Sequence, residues 1–306
     1  MIAGQMPGRV AALSFDRNDR ATMRLRITRC RDESSVVTDA LEAAGRDEES
    51  NRRLRPVVIS GARVSRPSTA ASATVRAFLR FLRSQDLDCV PQPLGHDQDR
   101  ETLGYIPGSS GGEGWYHQHT DDGIASAARL LRRVHDAGQG WDPPTDAVWG
   151  APPVPADEVV FCHGDPGPWN FVWNANTAIA LIDWDYLHPG PRVDDIAYAL
   201  RWFVPMRSDE LALNWHHFPK VPDRRHRTEV FLQAYGGLPR FDVVDAVANR
   251  MLATRDLVRQ RAEQGQEPQQ TWVRNGALDR EDEEISWVRQ HRETLTLDEV
   301  EGNTEN

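Results

Sequence analysis

At 306 residues, with 39% hydrophobic and 27% charged, the chain has the composition of a soluble globular protein of one large domain or two lobes. No apolar run approaches the roughly 20 residues of a membrane span, no apolar segment follows a basic start, and Cys30, Cys89 and Cys162 match neither a zinc spacing nor a disulfide framework. A cytoplasmic protein without a membrane partner is expected. The net charge of −10 sits entirely beyond residue 150, where 26 acidic residues face 16 basic ones, which argues against nucleic acid as the main partner and suits a cationic small molecule.

Residues 1–55 read as a poorly ordered extension with one exposed strand at 23–27 and a short helix at 35–44. Residues 56–67 form a hairpin turning at Ser60-Gly61. Ser72 caps a helix that carries Val75, Phe78, Leu79 and Leu82 on one face. Pro91 and Pro93 bracket a break. Leu103, Gly104, Tyr105 and Ile106 then make a short strand stopped by Pro107-Gly108, and the Ser/Gly-rich residues 109–114 read as a flexible linker. Asp121 and Asp122 open a helix with Ile124, Ala128, Leu131 and Val134 inward, and His135 continues that stripe as a core histidine. Residues 141–157 are a proline-rich loop. Further helices are expected from Asp194, over 229–235 with a stop at Gly236-Gly237, from Asp242, and around Ile285 and Val288. The tail from Asp298 is acidic and polar.

The chemistry concentrates in Val159-Val160-Phe161-Cys162-His163-Gly164-Asp165-Pro166-Gly167-Pro168-Trp169-Asn170 and in Ala180-Leu181-Ile182-Asp183-Trp184-Asp185. Each half is a short apolar run ending on carboxylates. The Asn174-Ala175-Asn176 turn returns the chain between them, so Asp165, Asn170 and Asp183 come together at the ends of buried strands. Oxygen ligands in that number suit Mg²⁺ with a phosphate-bearing substrate, and a carboxylate beside them can accept a hydroxyl proton.

His163-x-Asp165-x4-Asn170 followed by Asp183 resembles the catalytic loop and metal aspartate of kinase-like phosphotransferases. The His-Gly-Asp opening, Trp169 before the Asn, Ile-Asp-Trp-Asp, and then His188-Pro189-Gly190-Pro191-Arg192 and Asp194-Asp195-Ile196-Ala197-Tyr198 resemble the aminoglycoside phosphotransferase family more closely. The resemblance implies an α+β, two-lobed protein-kinase-like fold: a small β-rich nucleotide lobe over residues 56–108 and a larger, mainly helical lobe over 109–306. It implies Asp165 as the catalytic base, Asn170 and Asp183 as Mg²⁺ ligands, ATP or GTP as co-substrate, and a small-molecule hydroxyl as acceptor. The backbone of Gly104, Tyr105 and Ile106 would hold the adenine. His163 would bond backbone near Asp183, Asp185 would order its loop, and Asp195 would accept hydrogen bonds from the catalytic-loop backbone.

Two features depart from that pattern. No glycine-rich phosphate loop is visible, and Lys220 is the only lysine in the chain, so the usual strand lysine is missing. Arg66 stands where it would be, a fixed fork in place of a point charge. No glutamate lies on the helix at 72–84 to pair with it. These absences support a rival reading, a pseudokinase-like binding protein that keeps the fold without turnover. The acidic second half tilts the acceptor towards an amine-bearing molecule, and Trp169 and Trp184 are candidate walls of its pocket.

Overall fold

The computed structural model describes residues 57–295 apart from Gln98 and Pro239. The extension expected over residues 1–55, with its strand and helix, and the tail from Asp298 fall outside the described residues.

The chain begins with a hairpin, β1 (Val58–Ser60) and β2 (Arg63–Pro67), in which Ser60 opposes Arg63 and Gly61 takes a left-handed φ of +57°. After helix α1 (Ser72–Ser84) come β3 (Pro93–Asp97) and β4 (Arg100–Gly104), completing a four-stranded antiparallel sheet of order β1-β2-β4-β3. The break expected at Pro93 is therefore a strand. Pro93 sits at the first position of an edge strand, where the missing N–H costs no ladder bond. The helix begins one residue earlier than expected: Ala71, not Ser72, holds the N-cap position, and Ser72 Oγ accepts the Thr69 N–H at 2.8 Å.

Residues 109–114, expected as a flexible linker, are folded. Ser109 and Trp173 exchange both backbone hydrogen bonds, at 3.0 and 2.8 Å, and a single 3₁₀ turn (Gly111–Glu113) leads into the short helix α2 (Gly114–His117). Gly114 is required there because a Cβ would lie 2.3 Å from the Pro168 carbonyl oxygen. Helix α3 (Asp121–Gly138) is capped by Thr120, whose Oγ1 accepts from Gly123 N, and Asp121 and Asp122 complement the dipole in its first turn. Its apolar stripe is buried as the spacing predicts.

Strand β5 (Val160–Cys162) pairs with β8 (His188–Gly190), while β6 (Phe171–Asn174) and β7 (Thr177–Leu181) form the expected hairpin around Ala175-Asn176. Helices α4 (Arg192–Phe203), α5 (Asp209–Asn214), α6 (Arg224–Tyr235), α7 (Val243–Glu263), α8 (Gln269–Arg274), α9 (Ala277–Gln290) and α10 (Arg292–Leu295) complete the described chain. The helices expected at Asp194 and 229 start earlier, after Pro191 and the Asp223 cap. Helices α5 and α8 carry too few apolar positions to announce themselves.

One contiguous core joins these parts. Phe78 of α1 packs against Trp141, Phe161 and Trp184 at centroid distances of 4.8, 5.4 and 5.5 Å, and Leu181 N donates to Cys89 O at 2.9 Å. The sheet carrying Arg66 is thereby set against the β6–β7 hairpin that ends just before Asp183.

Candidate active site

The loop between β5 and β6 is suspended from a buried carboxylate. Asp195, in the first turn of α4 and fully enclosed, accepts the His163 N–H at 2.6 Å and the Gly164 N–H at 2.8 Å. His135 reaches the same carboxylate at 3.0 Å through Nε2, with its Nδ1 on the Tyr235 hydroxyl at 2.7 Å. Burial alone would push the Asp195 carboxyl up, but the His135 hydrogen bond and the neighbouring imidazoles hold it at about 2. The histidine on the apolar face of α3 is thus a satisfied core residue, as expected.

This arrangement has a measurable consequence. Because the Asp195 pKa is depressed from its ordinary 3.8, its contribution of about 2 kcal/mol is present above roughly pH 4 and is lost as pH falls towards 2. Asp195→Asn is expected to cost about 3 kcal/mol at pH 7. Urea unfolding at pH 7 and at pH 3 checks this, the difference from wild type shrinking at the lower pH.

His163 is also buried and carries out the role expected of it. Its Nδ1 accepts the Asp165 N–H at 3.2 Å, so the proton rests on Nε2, which donates to the Ile182 carbonyl at 2.9 Å. The ring stands edge-on to Trp184 at 4.6 Å and is held neutral chiefly by burial. One imidazole therefore sets the residue before Asp183 in register with the residue at Asp165. Gly164 is needed between them: its φ is +82° and a Cβ would meet the Tyr186 carbonyl oxygen at 2.4 Å. Arg250 of α7 donates to the Gly164 carbonyl at 2.6 Å and pairs with Asp194 through Nε at 3.0 Å.

Asp165 lies at the mouth of this loop. Its Oδ2 accepts from Asn170 Nδ2 at 2.9 Å and from Trp169 Nε1 at 3.5 Å, and its Oδ1 is enclosed without a hydrogen-bond partner. Desolvation raises the carboxyl to about 7. The nearby Tyr198 hydroxyl and the Trp169 and Asn170 hydrogen bonds oppose that rise, and the Asp183 charge adds to it. Asn170 also donates Nδ2 to the Asp165 carbonyl at 2.8 Å, which leaves its amide oxygen for another partner.

Asp183 is half exposed and takes a left-handed φ of +65°, a conformation that a non-glycine residue adopts at a cost. Its Oδ1 accepts from Arg66 NH1 at 2.5 Å, and Arg66 NH2 lies 2.9 Å from Asp185 Oδ1. The third edge of the guanidinium, Nε, pairs at 2.8 Å with Glu101, a side chain only 1% exposed that also meets Arg76 of α1 at 3.4 Å. Arg66 and Glu101 are direct cross-strand partners on β2 and β4. Burial works against the guanidinium's charge, but Asp185, Asp183 and Glu101 together raise its pKa. Glu101 is the acid that sequence reasoning missed. It was sought on the helix and stands instead on the neighbouring strand, 35 residues from Arg66.

An amide oxygen on Asn170 and a half-exposed carboxylate on Asp183 form a donor set suited to a hard divalent ion, although an ion there shares Asp183 with Arg66. A second cluster, Cys162, His188 and Asp194, has its ligand atoms within 4.8 Å of one another. It is already compensated, because Arg250 sits on Asp194 and burial keeps the Cys162 thiol protonated.

The Gly104, Tyr105 and Ile106 segment leaves β4 without joining this cluster. The Gly104 N–H is spent on the Gln92 carbonyl at 2.8 Å and the Tyr105 N–H on the Ala62 carbonyl at 2.9 Å, while Ile106 packs on the core. Of the two candidate pocket tryptophans, Trp184 is core, 1% exposed with Nε1 on the Leu181 carbonyl, and Trp169 is the one at the site. In the acidic stretch at 281–284, Asp282 pairs with Arg255 and Glu283 is exposed. Glu281 and Glu284 grip Arg201 in a double fork, and Glu284 also holds Arg207.

The chain is similar to several known proteins. A family model described as the phosphotransferase enzyme family (APH) matches residues 145–230, the stretch that contains the whole motif. Among curated proteins the chain is similar to the trifolitoxin immunity protein of Rhizobium leguminosarum bv. trifolii. The two are 27% identical over 237 residues, covering 73% of this chain and 87% of that one. Among solved structures it is similar to a candidate aminoglycoside phosphotransferase of Ralstonia eutropha JMP134, at 14% identity and a TM-score of 0.52, over 82% of this chain and 98% of the other. A choline/ethanolamine kinase family protein of Mesorhizobium loti aligns at 17% identity and a TM-score of 0.48, over 77% and 90%. The segment that presents Asp165, Asn170 and Asp183 lies within the stretch that the phosphotransferase enzyme family model matches, and the fold as a whole is similar to that of the Ralstonia eutropha protein.

Proposed function

We propose that the protein is a small-molecule kinase, transferring the γ-phosphate of a nucleoside triphosphate to a hydroxyl. The observation that carries this reading is the coupling of the three oxygen-bearing side chains. Asn170 clamps the Asp165 carboxylate, Asp183 acts on it electrostatically, and the His163 bridge to Ile182 holds the two loops together. Phosphoryl transfer asks mainly for positioning and charge neutralisation, and such a frame supplies the positioning.

In this reading Asp165 orients the acceptor hydroxyl and receives its proton as the new oxygen–phosphorus bond forms. The bond from the γ-phosphorus to its bridging oxygen breaks, and the nucleoside diphosphate leaves. A carboxyl titrating near 7 is matched to that proton transfer at neutral pH. Asn170 and Asp183 would hold Mg²⁺, which when bound neutralises phosphate charge. Arg66 is the phosphate-facing cation in place of the missing lysine, with Glu101 as its orienting acid. Residues 56–108 form the nucleotide lobe, and the chain at Gly104, Tyr105 and Ile106 faces the base. The two spent N–H groups leave carbonyl oxygens and the Ile106 amide for that contact.

One observation favours the pseudokinase-like reading: the Arg66 guanidinium already bridges Asp183 and Asp185. The curated relative is named for immunity to trifolitoxin, a role that either modification or sequestration of the toxin could serve. Thermal unfolding with ATP, GTP and each plus Mg²⁺ separates the two. The kinase reading expects a Mg²⁺-dependent rise in melting temperature that Asp183→Ala abolishes. No rise with either nucleotide at about millimolar concentration, roughly a thousandfold above a micromolar Kd, would favour a protein that binds without turnover.

A further inference from the structure

Four indoles gather beside Asp165. Trp115 of α2 stands 5.0 Å from Trp169 of the catalytic loop, 5.9 Å from Trp202 of α4 and 4.7 Å from Trp215, which follows α5. Trp169 and Trp202 are 5.0 Å apart, and Trp202 and Trp215 are 5.6 Å apart. All four are half-buried, unlike the core tryptophans Trp173 and Trp184. The wall starts at the base itself, because Trp169 Nε1 points to Asp165 Oδ2. It also holds an unmet polar group: Trp202 Nε1 is enclosed with no hydrogen-bond partner, a donor that a ligand oxygen could satisfy.

Exposed indoles often attract cations, but here that capacity is used internally. Arg201 lies 4.5 Å from the Trp202 ring centroid, and Arg207 lies 4.9 Å from Trp202 and 4.8 Å from Trp215. Behind them Arg201, Arg207 and the buried Arg227 outnumber Glu281 and Glu284. Arg227 spends its donors on the carbonyls of Phe203 and Gln118, with no carboxylate in contact among the described residues, and burial, opposed by the Asp121 charge, lowers it to about 10. His216, packed against Trp115 at 4.9 Å, is kept neutral by burial and by these three guanidiniums. The face beside Asp165 is therefore aromatic in front and positively biased behind, although the chain as a whole is acidic.

We infer that the phosphoryl acceptor is an alcohol carrying a flat aromatic body with no positive charge, neutral or anionic, whose ring stacks on Trp115, Trp169, Trp202 and Trp215. This deepens, and rests on, the reading of Asp165 as the base facing the acceptor hydroxyl. It departs from the amine-bearing acceptor that the acidic composition suggests. The negative charge of Glu281 and Glu284, which could recognise an amine, is locked into ion pairs with Arg201 and Arg207.

Binding without nucleotide tests it on the full chain, by calorimetry and saturation-transfer NMR. The probes are 2-(2-naphthyl)ethanol, 3-(2-naphthyl)lactate, the cationic 2-amino-1-(2-naphthyl)ethanol, and kanamycin. The neutral and anionic probes are expected to bind at least about tenfold more tightly than both cationic ones. Trp115→Leu and Trp202→Leu should each lose about tenfold, whereas Trp115→Phe stays within about threefold, which separates loss of the ring from loss of the fold. Equal or tighter binding of the cationic probes, unchanged affinity in the leucine variants, or no binding of any naphthyl probe overturns the inference. A missing Mg²⁺-nucleotide thermal shift would count against the kinase reading separately, since these binding assays contain no nucleotide.

Discussion

Asp165→Asn is expected to lower phosphoryl transfer by about 10²–10⁴-fold, the usual worth of a positioned general base, while making the protein more stable at alkaline pH. The second half follows from the direction of the pKa shift. Folding raises this carboxyl from 3.8 to about 7, so the unfolded chain releases the proton first and stability falls as pH climbs between those values. Three units correspond to about 4 kcal/mol as an upper bound. With about half realised, because Asp165 as a residue is only half-buried, the asparagine variant should melt about 4–8 °C higher at pH 8. At pH 4 the two proteins should melt together. The wild-type kcat/KM should rise through about pH 7 and level off above it, and the variant's residual rate should show no such inflection. A melting point at pH 8 that does not rise, with activity retained, would remove Asp165 from the role of base.

Arg66→Ala is the second large effect. The substitution strips a guanidinium from three carboxylates at once, and one of them, Glu101, is buried with only the longer Arg76 contact left. An uncompensated buried charge costs about 3–5 kcal/mol, which is a fall of about 10 °C in melting temperature for a protein of this size. Adding Glu101→Gln to the same variant should recover about half of the loss, because the group left unpaired is then neutral. Arg66→Lys is not a conservative change here. An ammonium meets one carboxylate well, whereas the observed fork meets one with each of its three edges. If Arg66 faces phosphate in the nucleotide complex, Arg66→Ala also loses most of the Mg²⁺-ATP thermal shift. A purely structural clip would lower the baseline melting point and leave that shift intact.

Arg66 also shows where reading along the chain stops. Its partner acid was invisible because antiparallel register, not helical spacing, makes Arg66 and Glu101 neighbours. The carboxylates it bridges arrive from residues 183 and 185, more than a hundred positions away. The position itself was legible, since an arginine at the end of the second hairpin strand stood where a lysine was wanted. By contrast, the role of His163 was legible: a bond to backbone near Asp183 was expected, and it bonds the Ile182 carbonyl.

What the sequence by itself determined is local and periodic. Apolar stripes at helical spacing placed α1, α3 and α7, the turn at Ala175-Asn176 placed the β6–β7 hairpin, and the His163, Asp165, Asn170 and Asp183 spacing placed the candidate site. These follow from interactions a few residues apart, which a linear pattern records directly. Only the tertiary structure decided the environment of those groups. It enclosed Asp165 and raised its pKa, assembled four tryptophans from separate elements beside it, and paired Glu281 and Glu284 with Arg201 and Arg207. Composition counts charges but not their partners, so an acidic half could hide a positively biased face: desolvation and Coulomb energies depend on distances that close only when the chain folds.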